Sequence, residues 1–90
     1  MALSTTRAFT LDYDAQGDVL YVSFMAPQPA LSLEVEPDVL LRYVPPSLEI
    51  VGITFLNFLM HFPGPDPKTA LAHATAVIED ILRKYPKVPL

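Results

Sequence analysis

Eight residues near the N-terminus, Asp12-Tyr13-Asp14-Ala15-Gln16-Gly17-Asp18-Val19, place oxygen side chains at positions one, three and five, glycine at six and an apolar residue at eight. That is the first half of a calcium loop. The second half needs a bidentate glutamate at position twelve, and Ser23 stands there. The flanks alternate as strands do, so the aspartates read as hairpin-turn chemistry, with Asp14 capping the turn. Glu34, Glu36 and Asp38 form a second acidic group, with Asp12 a candidate neighbour. Paired carboxylates do acid–base work when burial raises one of their pKa values. Here the alternation points Glu34 and Glu36 outward, as a solvated strand face with Arg42 the cross-strand partner of Glu34. His61 and His73 are the two histidines, and neither has a second histidine or a carboxylate at i+4. No serine sits in a nucleophile-elbow pattern, and Gly17, Gly52 and Gly64 are too far apart to cradle a phosphate. Catalytic, cofactor-binding and metal-ligating residues are therefore expected to be none.

The elements that would position these groups follow from periodicity. Phe9 to Tyr13 alternates and reads as a strand, Gly17 is expected in the left-handed conformation of a bulged turn, and Val19 to Met25 returns. A proline loop, Ala26 to Ala30, precedes a third strand over Leu31 to Glu36. A three-residue turn at Glu36-Pro37-Asp38 leads to a fourth strand, Val39 to Val44, stopped by Pro45-Pro46. Glu49 to about Phe58 is the fifth, apolar on both faces, and Gly52 within it implies a close approach of backbone or side chain. His61 to Pro67 reads as a rigid proline connector, with Asp66 and Pro67 as N-cap and first turn. Lys68 to Tyr85 has helical spacing at Leu71, Ala74, Val77 or Ile78, Ile81, Leu82 and Tyr85, with Glu79–Arg83 and Asp80–Lys84 as i,i+4 pairs. The expected fold is α+β: an antiparallel meander of about five strands with one C-terminal helix packed on one face. The single domain 1–90 would hold the sheet in 9–58 and the helix in 66–85, with 1–8 and 86–90 as loose ends.

Pairing Tyr13 with Asp18 gathers Phe9, Leu11, Leu20, Val22 and Phe24. The second hairpin adds Leu31, Leu33, Val35, Val39, Leu41 and Tyr43 to the same helix-facing side. The other side carries Val19, Tyr21, Leu40, Arg42 and Val44, more apolar than water favours, and these five form the expected interaction surface.

Composition limits the function classes. The chain has 90 residues, is 51% hydrophobic, carries a formal charge of −4 and contains no cysteine. Disulfides and thiol nucleophiles are excluded, and a cytoplasmic, bacterial-type protein is expected. The six basic residues are scattered, which disfavours nucleic acid. The apolar run Ile50 to Phe62 is too short and too interrupted to span a membrane.

Three short stretches, Tyr13-Asp14 with Asp18 and Leu20-Tyr21-Val22-Phe24, Glu34-Val35 with Pro37 and Val39-Leu40-Leu41, and Ile50-Val51-Gly52-Ile53, resemble the small bacterial family called domain of unknown function 2283, over about residues 11 to 57. The resemblance implies a compact β-rich domain and brings no established activity or catalytic residues. Members beside small toxin-like proteins imply an antitoxin or partner role. The segment Pro45-Pro46-Ser47-Leu48 departs from the family's usual polar turn, and the C-terminal helix extends beyond the shared core. The leading expectation is a small non-catalytic protein-interaction module, antitoxin-like or regulatory, that self-associates as a dimer through the sheet or binds a protein partner. The alternative is a small-ligand binder or enzyme with a pocket between the sheet and the proline connector, using Tyr43, Asn57, His61 and Tyr85.

Overall fold

Alternating strands joined by tight turns give two hairpins, and the computed structural model, which describes residues 8–26, 28–62 and 67–90, shows how they are joined. The first hairpin is β1 (Thr10–Asp14) with β2 (Val19–Ser23), and the second is β3 (Leu31–Glu36) with β4 (Val39–Tyr43). They do not lie next to each other. A short fifth strand, β5 (Gly52–Phe55), fits between them, so the sheet order is β1-β2-β5-β4-β3 with every pair antiparallel. The five-stranded antiparallel sheet and C-terminal helix are as expected, but spatial neighbours are not all consecutive in sequence. All four residues of β5 are buried, which suits a strand hydrogen-bonded on both edges at the sheet centre.

In the first hairpin Tyr13 faces Leu20 rather than Asp18, a slip of two residues that keeps every side chain on its expected face. Asp18, not Gly17, takes the left-handed conformation, with φ 56°. Gly17 is there for space. Asp14 Oδ1 accepts from the Gln16 and Gly17 amides at 3.1 and 3.3 Å, and a Cβ on Gly17 would lie 3.1 Å from Asp14 Oδ2. In the second hairpin Leu33 faces Leu41 and Glu34 faces Leu40. The register then shifts so that Glu36 faces Val39. The bulge shortens the connection to Pro37-Asp38, with Asp38 at φ 65°.

The expected fifth strand over 49–58 ends early because Phe58 begins a one-turn helix, α1 (Phe58–His61). His61 therefore belongs to a helix and not to the proline connector. The Asp66 cap lies outside the described residues. Helix α2 (Pro67–Lys84) buries Ala70, Ala74, Ile78 and Ile81 against Leu20, Val22, Leu41, Ile53 and Phe55 of one sheet face. Spacings of four, four and three keep those residues on one stripe. Its outer face pairs Arg83 with Asp80 at 2.9 Å, one turn away, and both are mostly exposed. Such a pair adds little stability. Lys84 does not pair with Asp80 as expected, because it reaches Glu36 instead.

The residues after α2 are not a loose end. The Val88 amide donates to Leu48 O at 2.8 Å, and its side chain is 2% exposed within the core. Val88→Ala is expected to lower the unfolding free energy by about 2 kcal/mol, measured by urea denaturation. No described helix is long and apolar enough to cross a membrane.

Candidate functional site

The sheet has two faces and α2 covers one. On the other, the pairings set a single row across all five strands: Asp12 faces Tyr21, Tyr21 faces Thr54, Thr54 faces Leu40 and Leu40 faces Glu34. The interior of this row is Tyr21, Thr54 and Leu40, and its two ends are carboxylates. Tyr21 is 38% exposed, so no described element seals it. Thr54 is buried between Tyr21 and Leu40. One row further along, Arg42 lies across Gly52, with Cδ and Nη1 each 3.5 Å from where a Cβ would stand. Its guanidinium reaches Gln28 O at 3.5 Å. A shallow recess of about 10 Å³ adjoins it, lined by Ser23, Met25, Ala26, Gln28, Arg42 and Val51. Val19 and Leu40 are half-buried, and Val44 follows the end of β4.

A polar cluster occupies the end of the sheet where both hairpins turn and β5 exits. Asp18, Asp38 and Asn57 all have positive φ, the conformation that aspartate and asparagine tolerate best among residues with side chains. Asp18 serves α1. Its backbone oxygen accepts from the Phe58 amide at 3.0 Å, and its carboxylate accepts from the Leu59 amide at 3.0 and 3.2 Å. Asn57, which precedes the helix, supplies no side-chain cap, so a residue in the turn between β1 and β2 does. The Tyr13 hydroxyl donates to the same carboxylate at 2.8 Å, and that bond holds its proton above the ordinary tyrosine range.

Asp38 gathers a second set. Its backbone oxygen accepts from the Leu56 amide, while Oδ2 takes the Asn57 side-chain Nδ2 at 3.2 Å and His61 Nε2 at 2.9 Å. The His61 bond, then the Asn57 bond, hold the Asp38 carboxyl below its usual range. An aspartate-oriented imidazole is one half of general-base chemistry; the other half is a proton to remove within reach. Among the described residues there is no group of three or more His, Cys, Asp or Glu able to hold a metal ion. The calcium-like aspartates are dispersed: Asp14 closes its own turn, Asp18 caps α1 and Asp12 sits opposite Tyr21.

The acidic group is also rearranged. Asp12 is on β1, at the opposite edge of the sheet from Glu34. Glu34 does not pair with Arg42; its Oε2 accepts from the Asp38 amide at 3.0 Å, because Arg42 faces Ser32. Glu36 does not point outward with Glu34. The bulge between them reverses its side, and its carboxylate meets Lys84 Nζ and, at 3.1 Å, the Tyr85 hydroxyl. The Lys84 bond lowers the Glu36 pKa from its ordinary 4.5. Stability from this contact is present above 4.5 and lost as pH falls through the lowered value. The same contact raises the Lys84 pKa above 10.5, so its contribution holds below that pH and is lost above. Glu36→Gln is therefore expected to flatten the fall in melting temperature below pH 4.5, followed by circular dichroism.

Of the four groups named for a ligand pocket, Asn57 and His61 meet at Asp38, and Tyr85 turns to Glu36 two residues away. Tyr43 is buried at the far end of β4, opposite Leu31. His73 is exposed on α2. An open groove of about 420 Å³ lies elsewhere, between Ser47, Leu48 and Glu49 on one side and Pro86 and Lys87 on the other.

The model of the family described as Protein of unknown function (DUF2283) matches residues 10–58. The chain belongs to this family. No curated protein and no solved structure matches it. The DUF2283 segment runs from the start of β1 to the first residue of α1, so it holds the whole sheet, the row across its open face, and Tyr13, Asp18, Asp38 and Asn57. Helix α2 lies outside it. Tyr13, Asp14 and Asp18 all serve the first turn and α1. Sequence reading missed Thr54 as the centre of the open face, since Ile53-Thr54-Phe55 looks like any buried strand. It also missed the Asp38–His61 contact, which depends on α1.

Proposed function

We propose that this chain is a small non-catalytic protein-interaction module whose contact surface is the open sheet face, with Val19, Tyr21, Leu40, Arg42 and Val44 as its contact residues. The observation that supports this is the row Asp12–Tyr21–Thr54–Leu40–Glu34, left uncovered by α2, with a half-exposed tyrosine in it. Exposed aromatic anchors carry a large share of binding energy at protein contacts. An antitoxin-like or regulatory role, implied by the family resemblance, is of this class, and a cytoplasmic site accords with the lack of cysteine. Tyr21→Asp is expected to weaken partner binding by about 30-fold or more while leaving the circular dichroism spectrum unchanged. Unaltered capture of a copurifying partner by that variant would contradict the reading.

The convergence of Asn57 and His61 on Asp38 favours a second reading, a ligand site at the strand ends. A metabolite-induced rise in melting temperature that His61→Ala removes would support it over the first.

A further inference from the structure

We infer that the occupant of the open face is a cationic protein segment with an apolar anchor, rather than a second copy of this chain. The inference rests on reading that face as the contact surface. Across the row the strands are about 4.8 Å apart, so Asp12 and Glu34 stand roughly 19 Å from each other with Tyr21, Thr54 and Leu40 between them. Both carboxylates are exposed. The Asp12 carboxylate has no hydrogen-bond or ion-pair partner among the described residues, and Glu34 spends one oxygen on the Asp38 amide. Among the described residues the cation on this face is Arg42, displaced one row away and directed at Gln28 O.

Two copies stacked face to face about a two-fold axis through the centre of this row, along or across the strands, do not satisfy these charges. With the axis along the strands, β1 of one copy lies over β3 of the other, and Asp12 meets Glu34. With the axis across the strands, Asp12 meets Asp12 and Glu34 meets Glu34. Either way carboxylates oppose each other at both edges of a shared apolar strip, in chains that each carry −4. A nucleic acid is repelled by the same rim. A segment with lysine or arginine on both sides of an aromatic or aliphatic anchor satisfies strip and rim together. In extended form, at about 3.3 Å per residue, its two cations are about six residues apart.

The probe is the synthetic peptide Lys-Ser-Leu-Tyr-Leu-Ser-Lys, terminally blocked, with its Glu-for-Lys counterpart as control, titrated by fluorescence anisotropy at low and high salt. The lysine peptide is expected to bind more tightly than the glutamate one and to weaken with salt. Asp12→Asn and Glu34→Gln are each expected to weaken it about threefold, the size of an exposed charge contact. The single variant Asp80→Asn makes the same change of net charge on α2, and should alter affinity less than twofold. Equal losses in the α2 variant, equal binding of both peptides, or no binding of the lysine peptide would overturn the inference. Sedimentation equilibrium separates the two levels. A dimer that Tyr21→Asp dissociates keeps the face and removes the cationic occupant. A Tyr21→Asp variant with unchanged peptide affinity and unchanged mass removes the face itself.

Discussion

Asp18→Ala is expected to destabilise the fold by about 3 kcal/mol, a large fraction of what a domain this size has to lose. The carboxylate accepts from the Leu59 amide and the Tyr13 hydroxyl, both half-buried, and alanine leaves those donors without it. Loss of a helix cap contributes about 1 kcal/mol and a stranded donor about 1–3. Alanine must also adopt φ 56°, which aspartate and asparagine tolerate better. Asp18→Asn keeps the backbone preference and one acceptor oxygen, so it should cost about 1 kcal/mol. Urea denaturation of the two variants separates the cap from the turn. Equal losses would mean that the carboxylate is incidental.

Gly52→Ala is the second large effect, at about 2–3 kcal/mol, the usual cost of forcing atoms into a packed interior. A Cβ there would lie 2.8 Å from the backbone oxygen of Val22. That oxygen belongs to the neighbouring central strand and cannot rotate away as a side chain would. Gly17 makes the useful contrast. Its added Cβ would meet a carboxylate oxygen of Asp14 at 3.1 Å, at the end of a short side chain on an exposed turn. Gly17→Ala should therefore cost under about 1 kcal/mol, with both variants compared by melting temperature.

The sequence was legible where period alone decides. Alternation placed Leu20, Val22, Leu41 and Tyr43 toward the helix and Tyr21, Leu40 and Arg42 away from it, and a register slip of two left those faces intact. The helix was readable from its spacing and from Pro86 beyond its end. Strand order was not, since it depends on which edges meet. The one hint was that Ile53 and its neighbours are apolar on both sides, which fits a central strand better than an edge. A single bulge residue defeated the reading of Glu36, because one extra residue reverses a side chain. Helix α1 was illegible for a different reason. Its cap is Asp18, 41 positions before the Leu59 amide it accepts from, and no local pattern at Asn57-Phe58-Leu59 announces it. The contact between His61 and Asp38 inherits that difficulty, and so does the misplacing of His61 in the proline connector.

The contact surface on the open sheet face is tested most directly by amide chemical-shift mapping of the ¹⁵N-labelled chain during titration with the lysine peptide. The predicted result is a set of perturbations confined to the row from Asp12 through Tyr21, Thr54 and Leu40 to Glu34, with Val19, Arg42 and Val44 beside it. Perturbations centred instead on the outer face of α2, at Asp80 and Arg83, or on Asp38, Asn57 and His61, would contradict it.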